Sequence, residues 1–195
     1  MKKIKIYEGI DMTEKEKALN GMEFMRGDPD LKRQRERAEM LCFEYNMTPP
    51  SNTEKKQQIF DELIKNKKEG CYIKSPFICE YGNYISLGRN FFANYNCKLM
   101  DGGKIIFGDD VLVGPDCTFV TAVHPTDPER RKAGYQTFKS IVVGNKVWFG
   151  AGVIVCPGVT IGDNCVIGAG SVVIKDIPAN CVAVGNPCKV IREVN

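Results

Sequence analysis

Apolar side chains return every three or four positions through the first seventy residues of this chain, and every six positions beyond them. The first rule is that of an amphipathic helix. It predicts helices over 13–25, 29–45 and 53–67. Thr13 and Glu16 have capping-box spacing at the first start, and Ser51 with Glu54 repeats it at the third. Asp28 stands as N-cap of the second, with Pro29 at the first helical position and Leu31, Ala38, Leu41 and Tyr45 at helical spacing. Asn46-Met47-Thr48-Pro49-Pro50 ends it. Such an arm is too short to bury much surface alone, so it is expected to pack on the remainder of the chain.

From about residue 70 glycine and valine become frequent and helical spacing stops. Read in sixes from Val143, the chain gives VGNKVW, FGAGVI, VCPGVT, IGDNCV, IGAGSV and VIKDIP without a gap. Earlier come LGRNFF, ANYNCK and LMDGGK, then FGDDVL, VGPDCT and FVTAVH. Position one is aliphatic or Phe except at Ala93, and position two is mostly Gly. A strand repeats every two residues and a helix every 3.6, so neither explains a period of six. A chain that runs straight briefly, turns, and repeats this does explain it. Three hexads then close one triangular coil, with position-one side chains stacked inside. Gly and Asn at the corners suit left-handed backbone angles. The class expected is mainly β, a parallel β-helix over about 73–183, with helices before residue 70 and at the extreme C-terminus. Two units result: a helical arm over 1–70 and a coil domain over 71–195.

Composition narrows the function little. The chain is 43% hydrophobic and 26% charged, an ordinary globular balance, and its net charge of +3 is unclustered, which argues against nucleic acid. No apolar run approaches the roughly 18 residues a bilayer crossing needs. Met1-Lys2-Lys3-Ile4-Lys5 leads into Tyr7-Glu8-Gly9 rather than an apolar signal core, so a cytoplasmic protein is expected. Nine cysteines, none spaced C-x-x-C, read as reduced, inert, buried thiols.

His124 is the one histidine and ends the hexad FVTAVH. The segment 125–136, PTDPERRKAGYQ, leaves the repeat with two prolines and five charged side chains. His124 therefore stands at the root of an excursion. Imidazole, with an unperturbed pKa of about 6.5, suits general-base work near neutrality. Trp148, the one tryptophan, ends its hexad and is expected to point outward. A zinc site of the carbonic-anhydrase kind needs three histidines.

TEKEKALNG, RAEMLCFEYN, YGNYISLGRNFFANYNC, TAVHP, NKVWFGAGVIVCPGVTIGDNCVIGAGSVVIKDIP and VGNPCKVIRE together span nearly the whole chain. They resemble the hexapeptide-repeat acyltransferases, and within them the maltose and galactoside O-acetyltransferases. The resemblance implies a left-handed coil, an exception to the usual right-handed crossover. It also implies a homotrimer, acetyl-CoA as donor, a sugar hydroxyl as acceptor, and catalysis without a metal. His124 matches the family's base. Asn94 in FFANYN matches its acceptor-contacting asparagine, although left-handed corner geometry is a second explanation for an asparagine there. Glu80 and Asp101 lie where the subfamily carries polar acceptor residues, Glu80 in place of a shorter Ser or Asp; Asp28 is the nearest carboxylate in the arm. Trp148 matches a tryptophan beside the pantetheine or acceptor. For the cofactor, Ala151 and Ala169 at hexad position three allow close approach of the amide-bearing arm, and Lys175, Lys189 and Arg192 are cations for its phosphates. Asn94 and His124 fall on different corners and different coils, so a site using both lies between subunits. An antibiotic O-acetyltransferase and a non-catalytic scaffold are the alternatives. A serine O-acetyltransferase would carry a larger helical N-terminal domain.

Overall fold

The computed structural model describes residues 12–194. The reading of 1–9 as lacking a signal core lies outside the described residues. Helix α1 is Glu14–Leu19, shorter than expected, with the Thr13–Glu16 capping box formed. Gly21 ends it at φ +67°, with its N–H donating to the Ala18 carbonyl and that of Met22 to Lys17. Phe24–Met25 then runs as a strand rather than a last helical turn. Helix α2 is Pro29–Met47. Helix α3 is Thr53–Leu63, capped by the Asn52 side chain rather than Ser51. It stops short of residue 67 because Asn66–Lys67 pairs in parallel with Ser86–Leu87, as the first strand of the coil.

Three parallel faces enclose the coil. The first face stacks Asn66–Lys67, Ile85–Leu87, Ile105–Phe107, Ile141–Val143 and Thr160–Ile161. The second runs from Tyr72–Ile73 through Phe92–Ala93, Leu112–Val113, Trp148–Phe149 and Val166–Ile167 to Cys181–Val184. The third stacks Phe77–Cys79, Cys97–Met100, Thr118–Val120, Ile154–Val155 and Val172–Val173. Late coils keep the eighteen-residue period of three hexads, from Ile154 to its partner Val172. Early coils take twenty, from Lys98 to Thr118, with the extra residues at the corner between the third face and the first.

The hexad positions have separate physical jobs. Position four takes the left-handed angle: Asn90, Asn96, Asp110, Asp116, Lys146 and Asn164 all lie at φ between +54° and +61°. The glycine at position two lies outside that region and serves close approach instead. A Cβ on Gly88 would sit 2.1 Å from the Gly108 carbonyl oxygen, and one on Gly108 2.7 Å from Gly144. Inside, Phe91, Phe107, Phe119 and Phe149 form one continuous stack, with centroids 4.7, 5.1 and 5.1 Å apart.

The arm shares this core. Leu41, Tyr45, Ile59, Phe60 and Leu63 join the cluster that fills the coil. Asn46 pairs with the edge strand Phe77–Cys79, accepting from the Phe77 N–H and donating to its carbonyl, both at 2.8 Å. The sheet's open edge is thereby covered. Among the described residues, no helix is long and apolar enough to cross a membrane.

Two expectations need correction. The excursion is wider than 125–136: the coil is left at Thr121 and rejoined at Ile141. Ala122–Val123 and Tyr135–Phe138 pair as an antiparallel ribbon, extended by Phe24–Met25, and a short helix, α4 (Pro128–Lys132), forms the tip. The sixfold pattern through Thr121–His124 concealed this because an antiparallel ribbon is also alternately apolar. The C-terminus is a strand, Lys189–Glu193, folded back antiparallel on Cys181–Val184. Gly185 at φ +102° makes the turn, and β-branched Val190 and Ile191 favour the strand over a helix.

Candidate active site

The predicted residues gather at two corners on opposite ends of the third face. At the corner after that face, the chain leaves the coil through Thr121, whose hydroxyl donates to the Met100 carbonyl at 2.7 Å and accepts from the Gly103 N–H at 2.8 Å. The Lys139 N–H closes the root on the Thr121 carbonyl. The ribbon beyond carries His124 into solvent just past Val123. Phe138 anchors the ribbon in a second apolar cluster with Ala18, Phe24, Leu31 and Tyr81, its ring 4.8 Å from that of Phe24. The arm, the excursion and the 80–84 turn therefore hold one another.

Glu80 opens that turn. It lines a groove of about 450 Å³ with Arg26, Arg35, Phe43, Ile78 and Met100. Burial pushes the Glu80 carboxyl above the usual range, while the Arg35 and Arg26 guanidiniums pull the other way. Arg35 also donates to the Tyr81 hydroxyl at 2.9 Å. Sequence reasoning missed Arg26 and Arg35. Arg35 lies on the face of α2 turned to the coil, but its long charged side chain reads as solvated in a pattern of apolar positions.

Asp101 is fully buried and faces inward rather than toward an open pocket. Its Oδ1 accepts from the Glu80 and Tyr81 N–H groups at 3.0 and 2.8 Å, and its Oδ2 from Tyr84 at 3.2 Å. Direct acceptor contact is thus replaced by a role in shaping the Glu80 turn. Burial pushes its carboxyl up to about 7 against the pull of these amides. An unfolded aspartate titrates near ~3.9. Protonation then favours the folded state, and that contribution is complete below the unfolded value and lost as pH rises through about 7. Denaturation of the native protein and Asp101→Asn at pH 5 and pH 8 is expected to show the native advantage shrinking at the higher pH. A difference constant across that window would mean that Asp101 titrates as an ordinary carboxylate.

Asp28 caps α2, its Oδ1 accepting from the Asp30 and Leu31 N–H groups at 2.8 and 3.0 Å. Lys175 is exposed at the same corner as His124, away from the other two predicted phosphate cations. Those two, Lys189 and Arg192, lie exposed on the terminal strand of the second face. Trp148 projects from the same face, 54% exposed, between Leu112 and Val166 of the neighbouring coils. Ala151 and Ala169 are exposed at the next corner, and a Cβ on Gly150 would lie 2.6 Å from the Ala169 nitrogen. Small side chains over closely stacked backbone leave room for an extended amide-bearing chain, with Trp148 and the two cations beside it.

Asn94 sits at this second corner, in the hexad position that neighbouring coils fill with Gly114 and Gly150. The left-handed residue of its hexad is Asn96 at φ +59°, so backbone geometry does not account for Asn94. It is half-buried, and its Oδ1 accepts from the Tyr95 N–H at 2.9 Å. The chain from Asn94 to Met100 crosses the third face, about 20 Å at the extended rise per residue. Asn94, Trp148, Ala151, Ala169, Lys189 and Arg192 thus lie across that face from His124, Glu80, Asp101 and Lys175.

Two family descriptions match the chain. Residues 17–67 match the maltose acetyltransferase hexapeptide capping motif, and residues 140–175 the bacterial transferase hexapeptide of six repeats. The galactoside O-acetyltransferase of Escherichia coli K12 is 43% identical over 95% of this chain and 91% of its own. A maltose O-acetyltransferase from Clostridium difficile 630 superposes with a TM-score of 0.91 at 45% identity, covering 94% of this chain and 98% of that one. A galactoside acetyltransferase in complex with coenzyme A also gives 0.91, at 42% identity over 95% and 92%.

Proposed function

The chain belongs to the hexapeptide-repeat acetyltransferases of the galactoside and maltose type, acetyl-CoA-dependent enzymes on a left-handed β-helix, and from that premise we propose that it acetylates a sugar hydroxyl with His124 as general base. The observation that carries this reading is the division of the site residues between two corners. The exposed imidazole and the acceptor-side groove share one corner, while Asn94 and the surface suited to coenzyme A share another. One chain cannot close such a site; three chains around an axis, each setting one corner against its neighbour's other corner, can. The active unit proposed is therefore a homotrimer with sites between subunits, working in the cytoplasm.

Transfer is direct. The imidazole of His124 removes the proton from the sugar hydroxyl as its oxygen attacks the thioester carbonyl. A tetrahedral oxyanion forms, held by N–H donors. It collapses by breaking the carbon–sulfur bond, and the imidazolium returns its proton to the departing thiolate. Glu80 and Asn94 contact the acceptor, Asp101 positions Glu80 through the turn, and Asp28 lies on the acceptor side of the arm. Trp148, Ala151, Ala169, Lys189 and Arg192 of one subunit, with Lys175 of the next, receive the cofactor.

Free-thiol release from acetyl-CoA, measured with glucose, maltose, a galactoside and an antibiotic hydroxyl as acceptors, tests the function. Release is expected to depend on an added sugar. Release driven by the antibiotic alone, or none with any acceptor, would count for the antibiotic enzyme or the scaffold.

A further inference from the structure

The nine cysteines are all free, yet two of them meet. Cys42 on α2 and Cys79 at the end of the strand Phe77–Cys79 lie with their sulfurs 3.6 Å apart, thirty-seven residues apart in the chain. Both thiols are buried, and both border the groove that Glu80 lines, which gives a small solute access to them. We propose that Cys42 and Cys79 are an oxidative modification site: a peroxide converts the pair to a disulfide that fastens the arm to the first coil beside Glu80.

The chemistry balances as two steps. The Cys42 thiolate attacks hydrogen peroxide, cleaving its O–O bond, and gives a sulfenic acid and, with one proton, water. The Cys79 sulfur then attacks the sulfenic sulfur, losing its thiol proton and expelling a second water as the disulfide forms. The sulfurs close from 3.6 Å to a bond of about 2.05 Å, a shift that side-chain rotation and a slight approach of α2 can supply. The two thiols are also differentiated for these roles. The two thiols share one hydrogen bond, in which either sulfur can donate, and it pulls Cys42 below the usual thiol range and Cys79 well above it.

Other cysteines stack in neighbouring coils but lack this arrangement. The Cys117 and Cys165 thiols donate to the Gly150 and Pro178 carbonyls, both at 3.1 Å, and that of Cys181 to Ala179 at 3.4 Å. Burial pushes Cys97, Cys117 and Cys165 up, away from the reactive thiolate.

The site does not depend on the acetyl-transfer reading and is tested without an activity assay. The full-length protein is treated with hydrogen peroxide, alkylated, and digested with trypsin under non-reducing conditions. A cross-link between peptides 38–55 and 75–89 is expected, lighter than the two reduced peptides by two hydrogens and released by dithiothreitol. The titratable thiols of the denatured protein should fall by two from nine. Cys42→Ser should give no cross-link. Cys79→Ser should leave Cys42 as a sulfenic acid that dimedone traps. Unchanged thiols in the native protein, over-oxidation of Cys42 with Cys79 still free, or a disulfide joining any other pair would overturn the proposal, whether or not the variants fold.

Discussion

Phe119→Ala is expected to lower the free energy of unfolding by about 3–5 kcal/mol. The ring is fully buried and stands edge-on between Phe107 and Phe149, at 79° and 81° with centroids 5.1 Å away on each side. Removing it deletes the middle of the stack. In many cores neighbouring groups move in and recover part of such a loss. Here the coils above and below are held about 4.8 Å apart by backbone hydrogen bonds, as strands in any sheet are. The void therefore stays open, and the cost belongs at the upper part of the range. Ile191→Ala, on a side chain 59% exposed, serves as the control and is expected to stay within about 0.5 kcal/mol. Denaturant titration of all three proteins at one concentration measures both. A loss below about 1 kcal/mol for Phe119→Ala would show that the coil relaxes more freely than its ladder implies.

The coil was legible because its sequence period and its geometry are the same fact. Position one faces inward and position four turns left-handed in hexad after hexad. What the period did not distinguish was why a glycine or asparagine stands at a corner. Gly88 and Gly108 are there for close approach and Asn96 for its φ, which leaves Asn94 without a structural reason. His124 was findable because nothing else in the chain resembles it. The Glu80 turn was less so: the early coils are two residues longer than three hexads, and Asp101, which the family resemblance sets among the acceptor residues, is buried in that longer corner. The ends of α1 and α3 were misjudged for a related reason. Phe24–Met25 and Asn66–Lys67 are drawn into strands by partners more than a hundred and about twenty residues away, respectively, and local spacing carries no trace of them.

His124→Ala is expected to fold and assemble normally and to lose about 10²–10⁴-fold in kcat, the range of a general base. That corresponds to about 3–5 kcal/mol of barrier. Affinity for acetyl-CoA should change little, since Trp148, Lys189 and Arg192 lie on another face of the coil. Asn94→Ala is expected to fail as well, through the acceptor. Combining the two variants separates a shared site from a private one. In an equal mixture reassembled as random trimers, a site drawing Asn94 from one subunit and His124 from the next is intact about a quarter of the time. Two poorly active proteins should therefore yield a mixture with roughly 25% of native turnover after co-refolding, and little before subunits exchange. If both residues served one chain's own site, mixing would restore nothing, because each chain would still carry its own defect. Near-native turnover of His124→Ala would remove the base from the mechanism. An acetyl group on a cysteine, found by mass spectrometry before any acceptor is added, would replace direct transfer by a covalent route. Recovery on mixing without that intermediate is the outcome that the separation of Asn94 and His124 across the third face requires.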